Sequence, residues 1–294
     1  MGLRYDAGKV ITAMVTPLNE DLSINFKQVE KLTQHLIDNG SDAVLVAGTT
    51  GECPTLTHEE ELELLKTVKA VAGNKAKVIM GAGSNCTLTA CEQSKKVAKI
   101  GVDAILSVVP YYNKPSQEGL IQHFTQIAHS VDLPIILYNI PGRTGINMLP
   151  QTIATIAEKN KNIFAVKQSN ADLEQVSEIK IKSPSDFSVY CGDDSLTLPM
   201  LSLGARGVIS VASHIIGNEI QEMIKLFFEG KVEEAAKLHL KLYPTFKKIF
   251  MVSNPVPIKA ALAKMGLINE FVRSPLVTMT DKQKEELFKE IILP

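Results

Sequence analysis

Eight short runs of apolar, largely β-branched residues recur along this chain, separated by segments with a helical hydrophobic period. The runs cover residues 10–15, 43–47, 78–80, 104–109, 135–138, 163–166, 187–190 and 207–211. Each is nearly continuous in apolar character. That is the pattern of a strand buried on both faces, and parallel sheets are built from such strands. Helical period appears over 26–39, 58–72, 117–130, 149–160, 173–181, 195–203 and 218–228. In the first of these, Val29, Leu32 and Leu36 share one face. Segment 58–72 starts acidic and ends basic, as the helix dipole favours, and Thr57 stands three residues before Glu60 as a capping box.

Eight strands alternating with helices predict an α/β fold, a (β/α)8 TIM barrel. The alternative is a doubly wound open sheet. It lacks the G-x-G-x-x-G expected after its first strand, and the strand tally matches closure instead. The barrel is assigned residues 1–229. Residues 230–294 carry only helical patterns, at 231–250, 257–265 and 281–292, and are read as a C-terminal helical appendage.

Composition narrows the function. The chain has 31 basic and 32 acidic residues, which argues against a general nucleic-acid or anionic-membrane surface. Trp is absent and aromatics are 5%, so a base-stacking platform is not expected. No apolar run reaches the roughly 18 residues of a membrane span, and residues 1–6 lack a signal pattern. Cys53, Cys86, Cys91 and Cys191 form neither a C-x-x-C pair nor a cluster with metal-ligand spacing. Reduced thiols in a cytoplasmic protein are expected, with no metal.

Barrels of this kind keep their chemistry at the C-terminal ends of the strands. The polar residues there are rich in hydroxyls and include one ammonium, that of Lys167, which directly continues the apolar run Ile163-Phe164-Ala165-Val166. Burial disfavours an ammonium, and a neutral amine attacks carbonyl carbon, so a Schiff base becomes available. A snorkelling or ion-paired lysine is the alternative. Tyr138 ends its own run in the same way, either as a proton carrier or as a hydrogen-bonded core residue. Gly48-Thr49-Thr50-Gly51 has the hydroxyls and permissive glycines to hold a carboxylate, and Arg143 has the guanidinium to clamp a second one or to stand in solvent. The six histidines pair with no readable nucleophile and are read as structural; only His214 follows a strand closely.

Taken together, Gly48-Thr49-Thr50-Gly51-Glu52, the segment 138–145 (Tyr-Asn-Ile-Pro-Gly-Arg-Thr-Gly) and Lys167 resemble the class I, pyruvate-dependent aldolase family of N-acetylneuraminate lyase and dihydrodipicolinate synthase. The resemblance covers essentially the whole chain. Within the family, Pro110-Tyr111-Tyr112-Asn113-Lys114-Pro115-Ser116, the Thr49-Thr50 pair, Arg143 and the segment 254–259 are similar to the dihydrodipicolinate synthase branch. Gln168 after Lys167 departs from the acidic residue usual there and also occurs among neuraminate lyases.

The resemblance implies that Lys167 forms an imine with pyruvate, which Thr50 and the carbonyl of Ile209 hold. It implies a proton relay of Tyr138, Thr49 and Tyr112, with Tyr112 reaching in from an adjacent subunit, and Arg143 as receiver of the carboxylate of L-aspartate 4-semialdehyde. No cofactor or metal is implied, and the expected assembly is a homo-oligomer, in this family most often a tetramer. Some members are inhibited by lysine at a subunit interface, at positions matching Cys53, Pro54, His58, Glu61, Asn85, Thr89 and Tyr111 here. Glu61 and Thr89 depart from that pattern, so weak or absent inhibition is expected. The rival readings are cleavage of N-acetylneuraminate or a 2-keto-3-deoxy sugar acid, and a non-catalytic barrel that only binds a keto acid.

Overall fold

Every residue of six of the eight strands is buried, which accounts for the unbroken apolar runs. The computed structural model describes Gly2 and residues 4–293; Met1, Leu3 and Pro294, which the sequence reading assigns to the barrel and the appendage, lie outside the described residues. In chain order the elements are β1 (Val10–Ala13), α1 (Phe26–Asp38), β2 (Ala43–Val46), α2 (His58–Ala72), β3 (Lys77–Gly81), α3 (Thr87–Ala98), β4 (Ala104–Val108), α4 (Gln117–Ser130), β5 (Ile135–Asn139) and α5 (Pro141–Thr144). They continue with α6 (Pro150–Lys159), β6 (Ile163–Gln168), α7 (Leu173–Lys182), β7 (Ser188–Cys191), α8 (Thr197–Ser202), β8 (Gly207–Ser210), α9 (Ser213–Phe228), α10 (Val232–Lys248), α11 (Val256–Lys264) and α12 (Asp281–Glu290).

The strands pair in sequence order into a closed barrel, β1 through β8, as the alternation predicts. The open-sheet alternative is thereby set aside. Among the described residues no helix is long and apolar enough to cross a membrane.

The chain divides into two compact units. One holds the N-terminal residues through Ala7 and Ile79–Ile209. Its core strands are β4 to β7, with Tyr138 of β5 in register with Lys167 of β6, and Lys167 in turn with Tyr190 of β7. Arg4 ties its start down by donating to Asp186 Oδ1 at 2.8 Å and to the carbonyls of Ala157 and Ile163 at 2.7 and 2.9 Å.

The other unit holds Gly8–Val78 and the chain from Ser210 onward. Here α9 packs on β1, α1, α10 and α11, and α12 packs on α10 and α11. The capping box of α2 forms as expected: Glu60 N–H donates to Thr57 Oγ1, and Thr57 N–H donates back to the Glu60 carboxylate. Such caps are each worth about 1 kcal/mol.

Three helices depart from the sequence reading: the single turn of α5 lies in a segment read only as a motif, and α3 and α9 depart further. The sequence shows no clear helical period between the third and fourth strands, yet α3 lies there. Its buried face is Ala90, Gln93, Ser94 and Val97, so half of the inward residues are polar and the apolar period is masked. The hydroxyl of Ser94 is satisfied within the helix by the carbonyl of Ala90 at 2.7 Å. The helix expected from residue 218 starts at Ser213, with a non-helical break at Ile216 (φ −128°). The residues before the break are buried without regular period, which hid them from a periodicity argument.

Candidate active site

In the unit built on Ile79–Ile209, the ends of β5 and β6 bring together the two residues singled out as strand-end polar groups. Strand register sets Tyr138 beside Lys167. Lys167 is 7% exposed and Tyr138 5%. The lysine Nζ stands 4.3 Å from the centre of the tyrosine ring. No carboxylate among the described residues pairs with this ammonium, so the ion-paired alternative for Lys167 does not hold. An amine at the buried end of a strand, against a phenol and without a counter-charge, is equipped to exchange protons and to meet an electrophile.

The residues that follow this pair on the two strands, Asn139 and Gln168, are joined in an amide network. Asn139 is fully buried, and its amide donates to Asn147 Oδ1 at 2.8 Å and to Gln168 Oε1 at 3.1 Å. The amide of Gln175 donates to the same Asn147 oxygen at 3.1 Å. Gln168, where the family usually has an acid, is thus part of a neutral amide network. Gly192 follows β7, and a Cβ built on it would fall 1.8 Å from Ser169 Oγ and 2.9 Å from Lys167 Cε. The absence of a side chain at 192 makes room for the lysine. Ser169 Oγ is buried with no hydrogen-bond partner. Ser169 is one of the polar residues that follow the sixth strand, but a serine there carries no signal of a role.

Arg143 is exposed on the single turn of α5, directly after β5, and Gly145 ends that turn in the left-handed region (φ 73°). Its guanidinium is therefore open to an incoming anion. Tyr112 is not drawn in. It lies after β4 with φ 72°, a conformation rare for a residue with a side chain, and is 89% exposed. No hydrogen bond among the described residues joins it to Tyr138 in the same chain. Ile209 is buried in β8.

In the other unit, Thr49 and Thr50 sit on the turn after β2, where the N–H of Gly51 bonds the carbonyl of Gly48 at 3.0 Å and that of Glu52 bonds the carbonyl of Thr49 at 3.1 Å. Gly51 is hemmed by Ala47 and by the carbonyl of Met14, each 3.2 Å from where a Cβ would be. Thr16 fixes the turn by donating to the Gly51 carbonyl at 2.7 Å. Thr50 is buried and Thr49 half-buried. The structure adds two partners from far along the chain. Asn254 Nδ2 donates to Thr50 Oγ1 at 2.9 Å, and Lys259 pairs with Glu52 in a fully buried contact. Segment 254–259 stands out as a motif without disclosing a role, and a lysine inside the apolar stretch of α11 is its available signal.

His214, the one histidine near a strand end, is structural. It is fully buried, Nδ1 donates to the Val211 carbonyl at 2.8 Å, and Nε2 accepts from the Val15 N–H at 3.1 Å. All four cysteines are free. Among the described residues no group of three or more His, Cys, Asp or Glu side chains is arranged to hold a metal ion.

Comparison with known proteins bears on this geometry. The model of the dihydrodipicolinate synthetase family matches residues 6–292. The chain is 54% identical over 280 residues to 4-hydroxy-tetrahydrodipicolinate synthase 1 of Halalkalibacterium halodurans, covering 95% of each. It is 52% identical, again over 280 residues and 95% of each, to the 4-hydroxy-tetrahydrodipicolinate synthase of Desulforamulus reducens. The crystal structure of DHDPS from Cyanidioschyzon merolae with lysine bound superposes with a TM-score of 0.95 at 49% identity, covering 97% of each chain.

Proposed function

This chain belongs to the dihydrodipicolinate synthetase family, and from that premise we infer that it condenses pyruvate with L-aspartate 4-semialdehyde to give 4-hydroxy-tetrahydrodipicolinate, a step of lysine and diaminopimelate biosynthesis. It is a lyase of the class I aldolase type. The observation that carries the mechanism is the buried Lys167 amine lying over the Tyr138 ring.

Lys167 Nζ adds to the keto carbon of pyruvate, and loss of water leaves an imine. The iminium draws electrons from the methyl group, a proton leaves, and the resulting enamine carbon forms the new bond to the aldehyde of the second substrate. That substrate's own amine then attacks the former keto carbon, closing the ring and releasing Lys167. Tyr138 carries protons in these steps, relayed by Thr49 and by Tyr112 of a neighbouring copy. Thr50, with the backbone of its loop and the Ile209 carbonyl, holds the pyruvate unit, and Arg143 takes the carboxylate of the semialdehyde. A hydroxyl relay suits this chemistry, since several protons move at one place in turn.

The exposed, backbone-strained Tyr112 supports a homo-oligomer in which it completes a partner's site, and a homotetramer is the assembly proposed. The proposed location is the cytoplasm, and the proposed domain division is a catalytic barrel to residue 229 followed by the helical region.

The test is reduction with borohydride in the presence of pyruvate, followed by peptide mass analysis. A pyruvate-derived adduct on Lys167, with turnover when aspartate semialdehyde is added and none with N-acetylmannosamine, is expected. An unmodified Lys167 ends the Schiff-base reading.

A further inference from the structure

The segment 254–259 has no part in the mechanism above, yet it reaches the threonine loop at two points. At the first, Asn254 Nδ2 donates to Thr50 Oγ1 at 2.9 Å, both residues being buried. A hydroxyl has one proton to give and two lone pairs. With the Asn254 N–H on one lone pair, the Thr50 proton is free for an acceptor on the other side, and accepting a bond strengthens the hydroxyl as a donor. The Asn254 Oδ1 is itself buried and without a hydrogen-bond partner, a costly state that folding alone gives no reason to keep.

At the second point, the loop backbone is pinned. Glu52 has φ 59°, in the left-handed region, although it is not glycine. Its carboxylate pairs with Lys259 and accepts the Arg273 N–H at 3.0 Å, while Lys259 Nζ also donates to the Phe271 carbonyl at 2.7 Å. Lys259 is fully buried and Glu52 nearly so. Buried ion pairs contribute little net stability, and their best-attested use is to specify one conformation. Here the conformation specified is that of the turn carrying Thr49 and Thr50.

We propose that Asn254 is a positioning residue that orients the Thr50 hydroxyl as a hydrogen-bond donor to the carboxylate of the bound keto acid. The inference rests on the Schiff-base reading above. It implies that the helical C-terminal segment sets the enzyme's affinity for its first substrate and leaves the second untouched.

The experiment uses the full-length protein. Asn254→Asp keeps the shape but replaces the donor with an anionic acceptor that captures the Thr50 proton, and Asn254→Ala removes the contact. The pyruvate concentration giving half-maximal borohydride-trapped adduct on Lys167 is measured for each, with KM for both substrates. The half-saturating pyruvate concentration is expected to rise about tenfold or more in Asn254→Asp and less in Asn254→Ala, with KM for aspartate semialdehyde unchanged. A general structural defect would move both KM values together, which counts against the inference. Should Asn254→Asp fail to fold, the same titration on Asn254→Ala decides. Absence of adduct in the unaltered protein sinks the Schiff-base reading. A normal adduct whose pyruvate dependence is the same in the folded variants and the unaltered protein overturns the role of Asn254 alone.

Discussion

Lys167 and Tyr138 occupy matched positions on adjacent parallel strands, and the register between β5 and β6 alone puts the amine over the phenol ring at 4.3 Å. Because strand pairing fixes this contact, removing the hydroxyl leaves it intact. Tyr138→Phe is expected to lower kcat by about 10²–10⁴-fold, the usual worth of a positioned proton carrier, with the melting temperature little changed. Slow formation of the borohydride-trapped adduct on Lys167 persists in this variant. A kcat close to that of the unaltered enzyme would remove Tyr138 from the mechanism.

Gly192 tests the space around the amine. An alanine there drives its Cβ into Ser169 Oγ, 1.8 Å away, and against Lys167 Cε at 2.9 Å. Overpacking of this kind costs about 1–3 kcal/mol. Gly192→Ala should therefore lose activity through displacement of the lysine. Ser169→Ala in the same chain removes the worse clash and restores part of the rate. The two substitutions are coupled, and a double-mutant cycle in kcat reads that coupling. Strict additivity contradicts the geometry.

The barrel was legible in the sequence because its strands are buried on both faces, which leaves continuous apolar runs and makes a lysine or tyrosine at the end of one conspicuous. Helix α3 was not, since Gln93 and Ser94 turn inward and satisfy themselves locally or against their surroundings. The contact from Asn254 to Thr50 spans 204 residues, and nothing local to either residue announces the other. Tyr112 adopts a positive φ without being glycine, so no residue type flagged the turn that presents it to solvent.

Weak or absent inhibition by lysine is the outcome expected from two side chains. The Glu61 carboxylate, which burial pushes above its ordinary pKa, already bonds His58 Nδ1 at 3.1 Å. Thr89 carries no charge to pair with an amine and instead hydrogen-bonds the Cys86 thiol. Steady-state assays are expected to show little effect of lysine, and Thr89→Glu, which supplies an anion, should strengthen inhibition. A low-micromolar inhibition constant for the unaltered protein would overturn this expectation.

His214 makes the fold sensitive to acid. Burial, with His35 nearby, lowers its pKa from 6.5 to about 4. Between these values the unfolded chain holds a proton on this imidazole and the folded one does not. Its contribution is therefore complete above pH 6.5 and is lost as pH falls towards 4, with no further loss below. The loss amounts to about 3 kcal/mol. His123, likewise lowered to about 4 by burial, acts in the same direction. Urea titrations across this window should show His214→Asn, which keeps a donor for the Val211 carbonyl, with a flatter pH dependence and about one proton fewer taken up on unfolding. An unchanged slope means that His214 titrates normally in the fold.

Tyr112 offers the sharpest test of assembly. At 89% exposure and with φ 72°, its ring is held away from its own chain at a backbone cost. If the ring serves a partner's site, the residues of one working site come from two copies. Lys167→Ala and Tyr112→Phe proteins should each be strongly impaired when pure, the first completely. Co-assembled, a Lys167→Ala subunit lends its intact Tyr112 to a neighbour that retains Lys167, and activity returns in the mixed oligomer. Activity measured on mixed oligomers isolated by two affinity tags reads this directly. Mixed oligomers no more active than the Tyr112→Phe protein would show that each chain completes its own site, and the strained turn would then need another explanation.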